Sequence, residues 1–255
     1  MRLRQICLVA HELEPTLAQL CGLLQTDIIY RDPGVAHFGL ANGLLQSGGD
    51  FIEVVSPLPD RQDTAGGRHL ARRGDSFYMV IFQCANAAPI AAHIGEQGIR
   101  KVWSHAGADL SATHFHPADF GGAIVSVDSM GREDWQSPNA YWEWTKWPPA
   151  TPPDYAAAAT GAIAGLTMRA AEPQKLAQHW GSLLERPVQG NQVIFDGAVM
   201  NFVETDTPAP FIDHVQLRCA AATPRDILAR GAAMGLPVEA DRLHLCGVDW
   251  SFIEG

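Results

Sequence analysis

The chain is short of positive charge: 18 Lys and Arg stand against 28 Asp and Glu in 255 residues, a formal net charge of −10. No basic run occurs, and phosphate backbones are bound by clustered Lys and Arg, which argues against a nucleic-acid partner. Long apolar runs are missing too. No stretch reaches the roughly 20 apolar residues of a membrane-spanning helix, so no membrane association is expected. The N-terminus opens on an alternating segment instead of a charged region followed by an apolar one, so no secretory signal is expected either. Cysteines are few, odd in number and isolated (Cys7, Cys21, Cys84, Cys219, Cys246). They predict reduced core thiols in a cytoplasmic, bacterial-type protein and not a disulfide framework. A Gly-x-Ser-x-Gly elbow is absent, and Gly48-Gly49 and Gly66-Gly67 read as turns, since neither opens a helix after a strand as a nucleotide loop does.

What is present is repetition. Glu14-Pro15 aligns with Glu172-Pro173 at an offset of 158 residues, and similarity runs on to both sides. Each copy begins with an alternating run (Ile6, Leu8, Ala10; Ala164, Leu166, Met168), the period of a strand with one buried face. An acidic residue and a proline follow, as suits the first turn of a helix. Leu17, Leu20, Leu23 and Leu24 then fall at helical spacing, as do Leu176, Trp180, Leu183 and Leu184. Both copies end on related tetrapeptides, Asp50-Phe51-Ile52-Glu53 and Asn201-Phe202-Val203-Glu204. A second pair of units starts at Phe77 and at Ile212. The expected fold is α+β: four β-α-β-β-β modules forming two paired half-barrel domains, residues 1–128 and 157–255. Between them lies a Trp- and Pro-rich connector, residues 129–156.

These motifs together resemble the vicinal-oxygen-chelate superfamily, which includes glyoxalase I, methylmalonyl-CoA epimerases, extradiol dioxygenases and bleomycin-resistance proteins. The carriers are Ser56-Pro57-Leu58, the run from His69 to Val80 through Arg72-Arg73-Gly74, and His116-Pro117 leading through Gly121-Gly122 to Ser126. In the second half, Ile212-Asp213-His214-Val215 matches the family's Asp-His signature. The resemblance implies a small-molecule substrate and, in many members, one divalent metal held by a residue from each of four strands. Such a cation polarises a substrate carbonyl while a carboxylate moves the proton.

Carried onto this sequence, the four positions are Gln5, Glu53, Met79 and Ser126 in the first half, and Ile163, Glu204, His214 and Ser251 in the second. Gln5, Glu53, Glu204 and His214 are therefore the candidate metal ligands. Met79 is a soft thioether and Ser126 a poor ligand for hard cations, which leaves open whether one divalent metal ion or none is held. Glu53 and Tyr78 are the candidate catalytic residues. Gln5, Met79, Ser126 and the connector tryptophans Trp142, Trp144 and Trp147 are the candidate substrate-binding set. The expectation is a glyoxalase- or epimerase-like isomerase or lyase, working through an enediolate on a small oxygenated or acyl-CoA-like substrate. The alternatives are a metal-free binding protein of the same fold and a dioxygenase relative; a homodimer is left open. His114 and His116 share a strand face, yet the family's His-Pro in this context is not a ligand. Arg72 and Arg73 read more simply as solvated than as a CoA-phosphate site.

Overall fold

The computed structural model describes residues 1–107, 109–146, 160–220 and 222–255. The first eight strands are β1 (Arg2–Val9), β2 (Ile28–Tyr30), β3 (Leu40–Ser47), β4 (Asp50–Pro57), β5 (Ser76–Gln83), β6 (Lys101–Ala106), β7 (Ser111–Phe115) and β8 (Ile124–Ser129). They form one sheet in the order β2-β3-β4-β1-β5-β8-β7-β6. The next eight are β9 (Thr160–Ala170), β10 (Val188–Gln189), β11 (Gln192–Ile194), β12 (Val199–Glu204), β13 (Phe211–Cys219), β14 (Val238–Glu239), β15 (Arg242–Leu245) and β16 (Val248–Ile253). Their order, β10-β11-β12-β9-β13-β16-β15-β14, is the first order with eight added to every number. The fold is thus α+β, two half-barrel sheets built from paired modules, and neither sheet closes into a full barrel.

In each sheet the two modules meet at a central antiparallel pair, β1 with β5 and β9 with β13. Each central strand also pairs in parallel with its own module's last strand. Parallel pairing needs a crossover, and four helices supply it: α1 (Leu13–Leu24), α3 (Ala87–Glu96), α5 (Pro173–Leu183) and α6 (Pro224–Ala233). Two shorter helices, α2 (Ala65–Arg73) and α4 (Pro117–Phe120), are additions of the first half. Pro173 and Pro224 sit in the first helical turn, and Thr223 and Asp226 close a reciprocal capping box. None of the described helices is long and apolar enough to cross a membrane.

The crossover helices cover one face of each sheet, and both covered faces join a single apolar core. Phe82 stacks on Phe195 at 4.5 Å and Phe120 meets Trp180 edge-on at 5.0 Å. Polar ties run alongside: the Ile163 N–H donates to Asp50 at 3.0 Å and the Ser47 and Thr160 hydroxyls pair at 2.8 Å. A second, smaller apolar cluster fills the opposite, inner face of the first sheet and includes Cys7, Phe51, Tyr78, Met79, Ile81 and Trp142.

Candidate functional site in the first half-barrel

Two irregularities in the β1–β5 ladder decide what the inner face contains. Alternation along β1 puts Leu3, Ile6 and Leu8 in the helix-side core. The register slips between Leu3 and Gln5 and again between Cys7 and Leu8. An extra residue in one strand turns two consecutive side chains to one side. Arg4 and Gln5 therefore both reach the inner face, and so do Tyr78 and Met79 on β5.

Glu53 lies on this face, buried at the middle of β4. Its orientation follows from a chain of donors. The Trp142 indole N–H, which can only donate, binds Gln5 Oε1 at 2.7 Å. That fixes the Gln5 amide so that Nε2 donates to Glu53 Oε2 at 2.9 Å. On the other side, the Asp32 backbone N–H occupies Asn42 Oδ1 at 2.9 Å, which turns Asn42 Nδ2 onto Glu53 Oε1 at 2.6 Å. The Cys7 thiol also lies against the carboxylate. Burial pushes the Glu53 carboxyl above the usual range, and the Asn42, Cys7 and Gln5 hydrogen bonds pull it part of the way back. Burial, reinforced by the negative charge of Glu53, raises the Cys7 thiol well above its ordinary value.

A second carboxyl stands on the far wall. Asp128 on β8 shares a face with Ser126, two residues before it. The Ser126 hydroxyl and the Trp144 indole donate to it, the latter at 2.6 Å. Burial pushes its pKa up to about 7, against the pull of those two hydrogen bonds. Tyr78 and Met79 are both buried below the connector; Tyr78 packs edge-on against His69 at 5.2 Å, and burial raises the phenol. Around Trp144 lies a half-exposed aromatic rim of Trp103, His114 and Phe38.

The structure thus brings Gln5, Glu53, Tyr78, Met79, Ser126, Trp142 and Trp144 onto one face. Trp147 lies outside the described residues. Asn42, Arg4 and Asp128 belong to the same face and were missed. For Asp128 a signal existed in the sequence, since it follows Ser126 at strand period.

The second half-barrel is different. Its inner face carries Thr167, Asn201, His214, Gln216 and Ser251, and His214 is half-buried. His214 Nε2 lies 2.7 Å from Ser251 Oγ and Nδ1 lies 3.2 Å from Thr167 Oγ1. Burial, then nearby Arg242, lower the pKa of His214. Glu204 does not join it. In strand register, Met79 lies opposite Cys7 and Glu53 beside Cys7, while His214 lies opposite Thr167 and Asn201 beside Thr167. The counterpart of Glu53 is therefore Asn201. Glu204, three residues further on, points with Met200 and Phe202 to the helix side and is exposed at the strand end. By the same register Gly165, and not Ile163, matches Gln5.

Neither donor set fits a divalent cation. In the first half both ends of the Gln5 amide are engaged, Ser126 donates to Asp128 and Met79 offers only sulfur, which leaves Glu53 as the single hard donor of the four. In the second, His214 stands with a glycine, an asparagine and a serine. Among the described residues no group of three or more His, Cys, Asp or Glu is placed to hold a metal ion.

A glyoxalase-like domain family model matches residues 6–184, well over half of the chain and including Glu53, Tyr78, Met79, Ser126, Asp128, Trp142 and Trp144 of the first inner face, but not Arg4 and Gln5. The chain belongs to this family. Within the vicinal-oxygen-chelate superfamily, a triple mutant of 4-hydroxymandelate synthase from Streptomyces coelicolor superposes over 99% of this chain and 92% of its own, at 14% identity and a TM-score of 0.67. A methylmalonyl-CoA epimerase variant from Streptomyces coelicolor, bound to 2-nitronate-propionyl-CoA, matches 52% of this chain and 99% of its own, at 21% identity and a TM-score of 0.44. The epimerase from Mycobacterium tuberculosis matches 53% and 92%, at 16% identity and a TM-score of 0.45. No curated protein sequence matches this glyoxalase-like chain.

Proposed function

We propose that this glyoxalase-like protein is a metal-independent isomerase or lyase. It takes a proton from carbon next to the carbonyl of a small oxygenated substrate, with Glu53 as the base. The observation that carries this reading is a desolvated carboxylate aimed by two amides. Gln5 and Asn42 hold one oxygen each and leave lone pairs free, while burial raises the basicity of the group. A base raised toward neutrality and fixed in direction is what proton abstraction next to a carbonyl requires. Trp142 covers the carboxylate, so substrate entry requires the connector to lift. Tyr78 faces the same space and is the candidate for holding the carbonyl oxygen.

The test is proton exchange in D2O, followed by NMR, on a panel of small 2-oxo acids, 2-hydroxy acids and acyl-CoA thioesters. Exchange should survive a chelator and fall at least about 100-fold in Glu53→Gln, in line with loss of a general base. Exchange abolished by chelator, or retained in Glu53→Gln, would refute the reading. The half-exposed rim of Phe38, Trp103, His114 and Trp144 favours one second reading, a metal-free protein that binds planar small molecules without turning them over. Saturable binding with no exchange anywhere in the panel would select it.

A further inference from the structure

Buried polar atoms without partners are rare in folded proteins, and each calls for a missing group. Seven such side-chain atoms occur among the described residues, and five of them belong to three residues on the inner face of the first sheet. They are Arg4 Nε and Nη1, both amide atoms of Gln83, and Gln46 Oε1. Arg4 and Gln83 are both completely buried. Arg4 and Gln83 lie on the paired strands β1 and β5, which sets them apart from the isolated cases Trp180 and Asp213, while Gln46 on β3 is separated from them by β4.

Arg4 is the unusual member. Its guanidinium lies 5.1 Å from the Phe51 ring centroid and 5.7 Å from that of Trp142, and its Nη2 donates to the Ala140 carbonyl at 2.8 Å. Among the described residues no carboxylate is paired with it. Asp50, whose charge acts on it, is already taken by Arg2 at 2.6 Å and by the Ile163 N–H at 3.0 Å. A buried cation with no counter-ion is costly, and the cost disappears when an anion is bound. Gln83 lies opposite Arg2 in the β1–β5 ladder, next to Asp128 across β8, and faces the same side as Ile81. It presents both a donor and an acceptor.

We propose that Arg4 and Gln83 form a recognition site for a small carboxylate bearing a hydroxyl group. One carboxylate oxygen accepts from a free Arg4 N–H and the other from the Gln83 amide N–H, and the ligand hydroxyl donates to Gln83 Oε1. This deepens the function proposed above by naming the substrate class, and it rests on the first inner face being the ligand site. Arg4 is consecutive with Gln5, whose amide holds Glu53, so an acid anchored on Arg4 is bound beside the base.

The test is calorimetric titration of the full-length protein at pH 7 and constant ionic strength with lactate, propionate, lactamide, phosphate and chloride. Lactate should bind saturably, at least 10-fold tighter than neutral lactamide and tighter than propionate, with phosphate and chloride weaker than either carboxylate. Arg4→Lys should weaken lactate at least 10-fold, because the lysine ammonium cannot present the same planar donors. Should that variant fail to fold, Gln83→Leu, checked by circular dichroism, should erase the preference for lactate over propionate. Equal affinity for lactate and lactamide, tighter binding of phosphate than of either carboxylate, or an unchanged preference in Gln83→Leu would overturn the proposal. Carboxylate-selective binding with no carbon–proton exchange would uphold the site and sink the Glu53 base. Exchange on uncharged carbonyl compounds without carboxylate selectivity would do the reverse.

Discussion

Asp128 offers the cleanest quantitative test of how the first inner face is built. Its carboxyl is fully buried, has no cation beside it, and keeps its proton up to about pH 7, whereas an ordinary aspartate loses it near 3.8. Below about pH 4 the group is protonated in both folded and unfolded chains and makes no difference. As pH rises from there, the unfolded chain ionises and the folded one does not. Stability therefore falls with rising pH, by about 1.4 kcal/mol per pH unit, until the folded pKa is reached. Asn mimics the protonated acid: its carbonyl can accept the Trp144 indole N–H, and its amide can face Ser126 Oγ, whose own proton turns to the Thr113 carbonyl, now at 3.3 Å. Urea denaturation of both proteins at pH 5 and pH 7 isolates the effect. Between those two pH values wild type should lose about 2 kcal/mol more than Asp128→Asn, since the unfolded group is already mostly ionised at pH 5. Other titrating groups cancel in the difference. Identical pH dependence in the two proteins would mean that Asp128 is not desolvated, and that the connector does not seal the face.

Two further substitutions probe the frame around that face. A Cβ on Gly247 would come within 1.6 Å of the Asp75 carbonyl, at a backbone φ of +69°, so Gly247→Ala should cost about 2–4 kcal/mol in chemical denaturation; a change under about 0.5 kcal/mol would contradict the close approach of the two halves. Trp142 is wholly buried in the same apolar cluster as Cys7, so Trp142→Ala should cost about 3–5 kcal/mol and speed Cys7 labelling by a thiol reagent under native conditions; unchanged labelling would show that Trp142 is not the cover.

How much of this was legible in the sequence depends on where strand period holds. The modules were readable because Ile6-Leu8 and Leu166-Met168 alternate as half-buried strands do, and because Glu-Pro marks both helix starts. Register was not readable wherever a bulge intervened. Simple alternation assigns Arg4 to the helix side with Ile6, and only the slip beside Gln5 brings it round to the inner face. Likewise the likeness of Asp50-Phe51-Ile52-Glu53 to Asn201-Phe202-Val203-Glu204 is real as sequence but offset by three residues in register. On a two-residue period an odd offset puts Glu204 on the wrong face. Asn42 carried no motif at all; its role depends on a backbone N–H ten residues earlier that fixes its amide.

The connector is where the two halves part company. Both sheets have the same strand order, but among the described residues only the first inner face is covered, and it is covered from both walls at once. Trp142 and Trp144, two residues apart, donate to Gln5 on β1 and to Asp128 on β8. Arg2 and Arg4 hold the same segment by its carbonyls at Gln136, Ser137 and Ala140. The consequence is chemical. Burial under that segment is the largest cause of the raised pKa of both Glu53 and Asp128. The second face keeps hydroxyls, amides and His214 in partial contact with water, where a carboxylate would have no such basicity. The two sheets share one strand order, and the stretch from Gln136 to Trp144, tied down by two indoles and two guanidiniums, is what gives the first inner face its buried carboxyls.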